Sequence, residues 1–274
     1  MFNMKNLNVP VKSRGVVLFA FNTSEVNYVK IAEQSARLIH HNLNLPVTLI
    51  TDSKEPTENF DTVITVEHTH VNYKNSEQQE WRNADRFNAY ELSPYDETLL
   101  LDCDYLVLNQ NLLKLFDQEF DYRLQHNNIM LGDPSTAPHV MGMTSLPFVW
   151  ATVIAFKKTN KTQQLFNLVG RIQRNYQYYT LLYNINDRSF RNDYAFAIAN
   201  NILNGYTIEV DQSIPWAMLS IYKPVTAIEI QNNSLLVRHE ERAYIIPQQD
   251  IHVMYKPYLI SPKYSQLVDH LCQK

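Results

Sequence analysis

The sequence predicts an α/β fold with a mixed, mostly parallel central sheet flanked by helices, on three observations. Short, continuous apolar runs at residues 16–21, 46–51, 98–101 and 149–156 are rich in β-formers, as expected of strands covered on both faces. Between the first two runs, Val26, Val29, Ala32, Ala36, Ile39 and Leu43 recur at three- and four-residue steps, the pattern of an amphipathic helix, so the opening segment is a β-α-β unit. The first three runs also end in polar residues, at Asn22-Thr23, Asp52 and Asp102, where open α/β sheets collect ligands.

The chain has 274 residues, enough for one large α/β domain. The expected organisation is a polar lead-in over residues 1–13, one domain over 14–260, and a terminal helix over 261–274 packed onto it. With 24 Lys+Arg against 28 Asp+Glu the net charge is −4, so the chain as a whole has no polyanion-binding signature, although a local basic face stays open. Cys103 and Cys272 are the only cysteines, which excludes a disulfide framework and suits a reducing compartment. No run approaches a membrane span and residues 1–14 lack an apolar core of signal-peptide length, so a soluble, cytoplasmic protein is expected. Five glycines are few, and neither G-x-x-x-x-G-K-[ST] nor G-x-G-x-x-G occurs, which argues against a glycine-rich phosphate cradle.

In chain order, the strand at 16–21 stops at Asn22-Thr23-Ser24, where a hydroxyl can cap the helix and Glu25 sits in its first turn. The strand at 46–51 and another at 62–66 follow. Residues 78–92 read as a helix carrying Arg86, and 93–96 turn the chain into the strand at 98–101. A helical turn is expected at 112–116, and residues 132–147 form a loop long enough to be functional or disordered. After the strand at 149–156, a helix is expected over 165–183, a second over 193–203 with Gly205 closing it, and a strand at 206–210. The last quarter turns to extended structure: a hairpin about Asn232-Asn233, strands at 244–246 and 251–254, then a helix over 264–272.

The segment about which this pattern is organised is Asp102-Cys103-Asp104, two carboxylates interrupting an apolar run that resumes at Tyr105. In an extended chain alternate residues share a face, so the two carboxylates would be neighbours about 5–7 Å apart with Cys103 pointing away. Their repulsion is on the order of 3 kcal/mol at an effective dielectric of 20, before desolvation is added. A divalent cation removes that conflict, and hard oxygen ligands suit Mg²⁺ or Mn²⁺. The structural alternative is a pair of strand-end carboxylates that meet Lys or Arg.

Several pieces match a known family in order. Residues 86–107, Arg86 through Leu101-Asp102-Cys103-Asp104-Tyr105-Leu106-Val107, resemble an "R-(x)n-LYLDxDxxV" segment. Residues 150–159 resemble an "F-N-x-G-V-x-x-F" strand, Arg191-Asn192-Asp193-Tyr194 an Asn-Asp-Gln motif, and His252 to Lys256-Pro257 a C-terminal "H-x-x-G-x-x-K-P-W" with shorter spacing and no glycine. Over residues 14–260 the chain thus resembles GT-A fold nucleotide-sugar glycosyltransferases, especially the glycogenin and lipopolysaccharide galactosyltransferase group. A looser likeness is to glycosyltransferases of tailed phages, some of which modify hydroxymethylated pyrimidines in DNA.

The resemblance implies a single GT-A (Rossmann-like) domain and transfer of a sugar from a nucleotide-diphosphate donor, UDP-linked by expectation, to a glycan or to hydroxymethylated DNA. It implies Mn²⁺ or Mg²⁺ held by Asp102, Asp104 and His252, with Lys256 on a phosphate oxygen and Arg86 at the diphosphate or sugar. Phe21, Asn22, Thr23 and Asp52 would border the base and ribose, Asp102 would also reach the ribose, and Asp193 would be the acceptor-side base or hydroxyl ligand. The plain alternatives are helix capping for Asn22, Thr23, Asp52 and Asp193, a surface ion pair for Arg86, a half-buried strand histidine for His252 and a solvated lysine for Lys256. Arg171, Arg174, Arg188 and Arg191, interleaved with tyrosines, form either an acceptor surface or an ordinary amphipathic helix. His40-His41 and His68-Thr69-His70 are weak metal candidates. The rival functions are a nucleotidyltransferase, whose Gly-rich opening signature is absent after Phe21, and a non-catalytic nucleotide-sugar or glycan binder.

Overall fold

A computed structural model describes residues 13–55, 57–67, 72–74, 79–81, 83–133, 139–141, 146–186, 189–207 and 212–273. Its elements, in order, are β1 (Arg14–Phe19), α1 (Tyr28–Leu43), β2 (Val47–Thr51), β3 (Thr62–Thr65), β4 (Asn72–Lys74), β5 (Gln79–Trp81), a 3₁₀ segment (Asn83–Asn88), α2 (Ala89–Leu92), β6 (Glu97–Asp102) and β7 (Tyr105–Leu106). A 3₁₀ turn (Asn111–Leu115) leads to β8 (Tyr122–Gln125), β9 (Asn128–Met130), β10 (Trp150–Lys157), α3 (Asn160–Arg174), α4 (Tyr176–Leu182) and α5 (Asn192–Leu203). The chain ends with β11 (Met218–Ile221), β12 (Val225–Gln231), β13 (Ser234–His239), β14 (Arg242–Pro247), β15 (Ile251–Val253), α6 (Lys256–Leu259) and α7 (Pro262–Cys272).

The fold is mixed α/β, as expected. Six strands form the main sheet in the order β3-β2-β1-β6-β10-β8; β3, β2, β1 and β6 are parallel, whereas β10 runs antiparallel to both its neighbours. Side chains leave β1 alternately, so Val16 and Leu18 enter one core with α1 and α7 while Val17 and Phe19 enter the other with α3 and α5. Burying each such side chain is worth about 1.5–3 kcal/mol, which is why the β1 run is apolar on both faces. Gly15 is a close-approach position: a Cβ there would collide with the Tyr95 ring, which is tethered by a 2.8 Å hydrogen bond between Tyr95 and Thr48.

A second sheet, β7-β15-β11-β9, sets β15 antiparallel to β7 and brings His252 opposite Tyr105. A third, β12-β13-β14, is a meander whose first turn is Asn232-Asn233, both with positive φ (48° and 60°), as a two-residue hairpin turn requires. α7 packs beside α1, joined by an Arg37–Asp269 ion pair of 2.7 Å. No helix among the described residues is long and apolar enough to cross a membrane.

Several local expectations are corrected. The helix expected over 78–92 is β5, a 3₁₀ segment and the four-residue α2, with a non-helical break at Asp85 (φ −91°, ψ 23°). α1 begins at Tyr28 because Asn27, not Ser24, caps it, its side chain accepting from the Lys30 amide; Thr23 closes the preceding turn on Val26. The helix expected over 165–183 breaks at Asn175 into α3 and α4. Tyr206, expected to open a strand, lies in a turn with φ 64°, and residues 208–210 of that strand fall outside the described residues. So do residues 1–12 of the lead-in, 134–138 and 142–145 of the long loop, Thr69, His68 and His70, and Arg188.

Candidate functional site

The carboxyl ends of β1 and β6 meet at one edge of the main sheet. Because β10 is antiparallel, its first residues arrive at that same edge, and the start of α5 closes the side. There the structure holds a cavity of about 340 Å³ lined by Phe19, Phe21, Thr23 and Tyr28, by the segment around Asp102–Asp104, by Trp150–Thr152 of β10, by Asn83 and Arg86, by Arg191–Asp193, and by His252, Met254 and Lys256.

Asp102 and Asp104 both line it, but the backbone between them is not an unbroken strand: β6 ends at Asp102, a turn spans residues 103–104, and β7 continues in the second sheet. The turn is pinned on both sides. The Ser35 hydroxyl donates to the Cys103 carbonyl at 2.6 Å, and the Val253 amide donates to the Asp104 carbonyl at 2.9 Å. Cys103 is buried, and burial pushes its thiol well up.

Both carboxylates have cationic partners. Arg86 Nη1 pairs with Asp102 Oδ1, and Lys256 Nζ pairs with Asp104 Oδ2, which His252 Nε2 also approaches at 3.3 Å. Burial alone would raise the Asp104 pKa, but Lys256 and His252 outweigh it and hold the carboxyl well below its ordinary range. Burial works against the Lys256 ammonium too, yet the Asp104 charge raises it above its usual value. Tyr28 stays a neutral phenol, pushed up to about 12 by burial, with Lys256 opposing the shift.

Asp102, Asp104 and His252 each offer one ligand atom, all within 4.8 Å of one another. Two carboxylate oxygens and an imidazole nitrogen fit Mn²⁺ or Mg²⁺. Asp193 Oδ1 accepts from the Ala151 amide at 3.0 Å and Oδ2 from Arg191 at 3.0 Å, so it ties α5 to β10 rather than capping its own helix, whose cap position is Arg191. Asn22 and Asp52 do not line the cavity: Asn22 Oδ1 accepts from the Val29 amide at 3.0 Å, which fixes the entry to α1, and Asp52 stands beyond the lining residues. His40 pairs with Asp61 at 2.9 Å on the surface. In the Arg/Tyr segment Tyr176 and Tyr179 are core residues, Arg171, Arg174 and Tyr178 are exposed, and of its described arginines only Arg191 lines the cavity.

Sequence reasoning missed Tyr28, Trp150, Asn83 and the ligand-facing potential of Asn192. Asn83 Oδ1, Arg86 Nε and Nη2, Trp150 Nε1 and Asn192 Oδ1 are buried there without a hydrogen-bond partner. Such atoms cost about 1–3 kcal/mol each, so their clustering around one cavity was the signal to seek, and only a fold displays it.

Asp250, two residues before His252, anchors β15. Its Oδ1 accepts from the Leu108 and Asn109 amides (2.7 and 3.1 Å) and Tyr105 donates to Oδ2 at 3.3 Å. Burial raises its pKa from 3.8 to about 7 despite those donors. A folded-state pKa above the unfolded value means that the native state binds the extra proton, so stability is full below the unfolded pKa and falls as pH rises toward 7, by about 1.4 kcal/mol per unit. Asp250→Asn keeps the acceptor oxygen and should flatten that limb. Urea unfolding at pH 5 and pH 7.5 is the check: the variant gains on wild type at the higher pH, whereas parallel curves would show that Asp250 titrates normally.

Fold and site together define an α/β protein with a polar cavity at the strand ends and a candidate metal triad beside two cationic side chains. No family model matches the sequence, and no curated protein is similar to it. Among solved structures it is similar to the glycosyltransferase GlyE of Streptococcus pneumoniae TIGR4, in its apo form and in a second structure, at 16% identity and a TM-score of 0.39 to each. The similarity covers 74% and 75% of this chain but 45% of each GlyE chain, so the chain spans less than half the length of those structures. A likeness that distant carries no argument about activity, which rests on the site itself.

Proposed function

We propose that this protein is a metal-dependent glycosyltransferase of the GT-A type, taking a sugar from a nucleoside-diphosphate donor, UDP-linked by preference, to an acceptor hydroxyl. The observation that carries the reading is the convergence of Asp102, Asp104 and His252 with Lys256 and Arg86 on one cavity. In the transfer, the bond from the anomeric carbon to the diphosphate oxygen breaks and a bond to the acceptor oxygen forms. Negative charge grows on the departing diphosphate; a divalent ion at the triad, when bound, supplies positive charge against it. Lys256 adds a point charge to a phosphate oxygen, and Arg86 a planar donor at the diphosphate or sugar. Phe19, Phe21 and Tyr28 offer an apolar wall for the base. The unpartnered atoms of Asn83, Arg86 and Asn192 present acceptors and donors for sugar hydroxyls, and Asp193 takes the acceptor proton or orders that hydroxyl.

The acceptor in this reading is a glycan. A second acceptor, hydroxymethylated DNA, is favoured by exposed Arg171, Arg174 and Tyr178. Filter binding to hydroxymethylcytosine DNA across a salt series separates them, since binding that is absent at low salt removes the DNA acceptor.

A thermal-shift screen of UDP-, GDP- and CDP-sugars with and without Mn²⁺ tests the function. A ligand at 100 times its Kd adds about 2.7 kcal/mol of stability, which for a chain of this size is a rise in Tm of about 5 °C. The expected result is a UDP-sugar shift that needs Mn²⁺. No shift with any sugar nucleotide overturns the reading, and turnover of a nucleoside triphosphate instead would favour a nucleotidyltransferase.

A further inference from the structure

Among the described residues six charged side chains line the cavity, and they are matched one to one: Arg86 with Asp102, Lys256 with Asp104, Arg191 with Asp193. Counted without His252, their formal sum is zero. Arg86 and Asp104 are buried, and Lys256 and His252 are mostly so, so these charges are weakly screened. The lysine also occupies Asp104 Oδ2, the oxygen that His252 Nε2 approaches at 3.3 Å, on a carboxylate that belongs to the candidate metal triad.

We infer that Lys256 couples the two halves of the donor complex, so that a divalent cation and a diphosphate bind together far better than either binds alone. This rests on the proposed metal-dependent reading. A lone divalent cation would place two uncompensated positive charges beside Lys256 and Arg86 and compete with Lys256 for Asp104. A diphosphate draws the Lys256 ammonium to its own oxygens, frees Asp104, and supplies the negative charge that the cation needs. The two negative charges of a doubly esterified donor diphosphate match those of the cation, so with the donor the described charges balance only when both arrive, and by linkage the benefit is reciprocal.

The experiment is a two-by-two titration of the full chain with Mn²⁺ and UDP, bound Mn²⁺ being read by electron paramagnetic resonance and corrected for the Mn²⁺–UDP complex in buffer. Inorganic pyrophosphate replaces UDP in a parallel series to isolate the diphosphate. Wild type should bind Mn²⁺ at least tenfold more tightly with UDP or pyrophosphate than without, and UDP should gain by the same factor from Mn²⁺. In Lys256→Met, Mn²⁺ alone should bind at least tenfold more tightly than to wild type, and the coupling should shrink. Equal Mn²⁺ affinity with and without UDP in wild type overturns the coupling and leaves the metal reading standing. No protein-bound Mn²⁺ in any mixture overturns the metal reading itself. A folded Lys256→Met, by circular dichroism, that binds Mn²⁺ no better than wild type removes Lys256 from the mechanism, and the wild-type titration stands without the variant.

Discussion

Asp104→Asn is expected to lose Mn²⁺-dependent donor hydrolysis by about 10³-fold or more and to lose stability as well. The activity loss follows from the place of the carboxylate, within reach of Asp102 and His252 as a candidate ligand. The stability loss has a separate cause. Asp104 is the counter-charge of Lys256, a mostly buried ammonium whose other hydrogen-bond acceptor is the Met254 carbonyl at 3.2 Å. Removing one partner of a buried ion pair typically costs about 3–5 kcal/mol, because the other charge stays desolvated. The two losses are separable: adding Lys256→Met should return most of the stability and none of the hydrolysis. Urea midpoints and product release, measured on wild type and the two variants, decide it. Activity that returns with stability would mean that Asp104 acts only through folding, and wild-type hydrolysis indifferent to a chelator would remove the metal role.

Arg86→Met should lower turnover by about 10²-fold and cost about 2–4 kcal/mol of stability. Arg86 is 1% exposed, yet among the described residues only its Nη1 has a partner, Asp102, while Nε and Nη2 are buried without one. A guanidinium held in that condition is suited to a ligand that supplies acceptors. The stability cost stays below that of Asp104→Asn because Asp102 is about a quarter exposed and can be solvated once its partner is gone. Arg86→Lys keeps the charge but not the planar fork, so it should recover stability better than turnover. Equal recovery of both would reduce Arg86 to an ion-pair role. Steady-state kinetics beside urea unfolding of both variants give the comparison.

The two-faced apolar runs of β1, β2, β6 and β10 were readable because burial on both faces leaves few polar positions in the strand, mostly threonines and strand-end residues. The hairpin about Asn232-Asn233 was readable because few residues tolerate positive φ in succession. Short-range reading failed where tertiary packing chose among similar local states. Residues 83–92 have helical composition, yet a 3₁₀ segment there carries Arg86 to Asp102 and Asn83 to Asn192, whose side-chain amide donates to the Asn83 carbonyl at 2.7 Å. Asn22 resembled a ligand residue by position at a strand end, and the structure spends its oxygen on the Val29 amide.

The Asp-x-Asp segment marks the division most sharply. By itself the sequence determined that two carboxylates stand at the end of a buried strand and that like charges so placed need a cation, since both follow from chain-local spacing and electrostatics. Which cation, and on what face, was decided by the tertiary structure alone. The turn at residues 103–104 moves the chain into a second sheet, β15 pairs there with β7, and Lys256 reaches Asp104 across 152 residues of sequence. Hydrophobic periodicity is a property of neighbours along the chain, whereas strand pairing between distant segments depends on the packing of everything between them. That Arg86 and Lys256, both already named from the sequence, are the cations that pair with Asp102 and Asp104 is therefore visible only after folding.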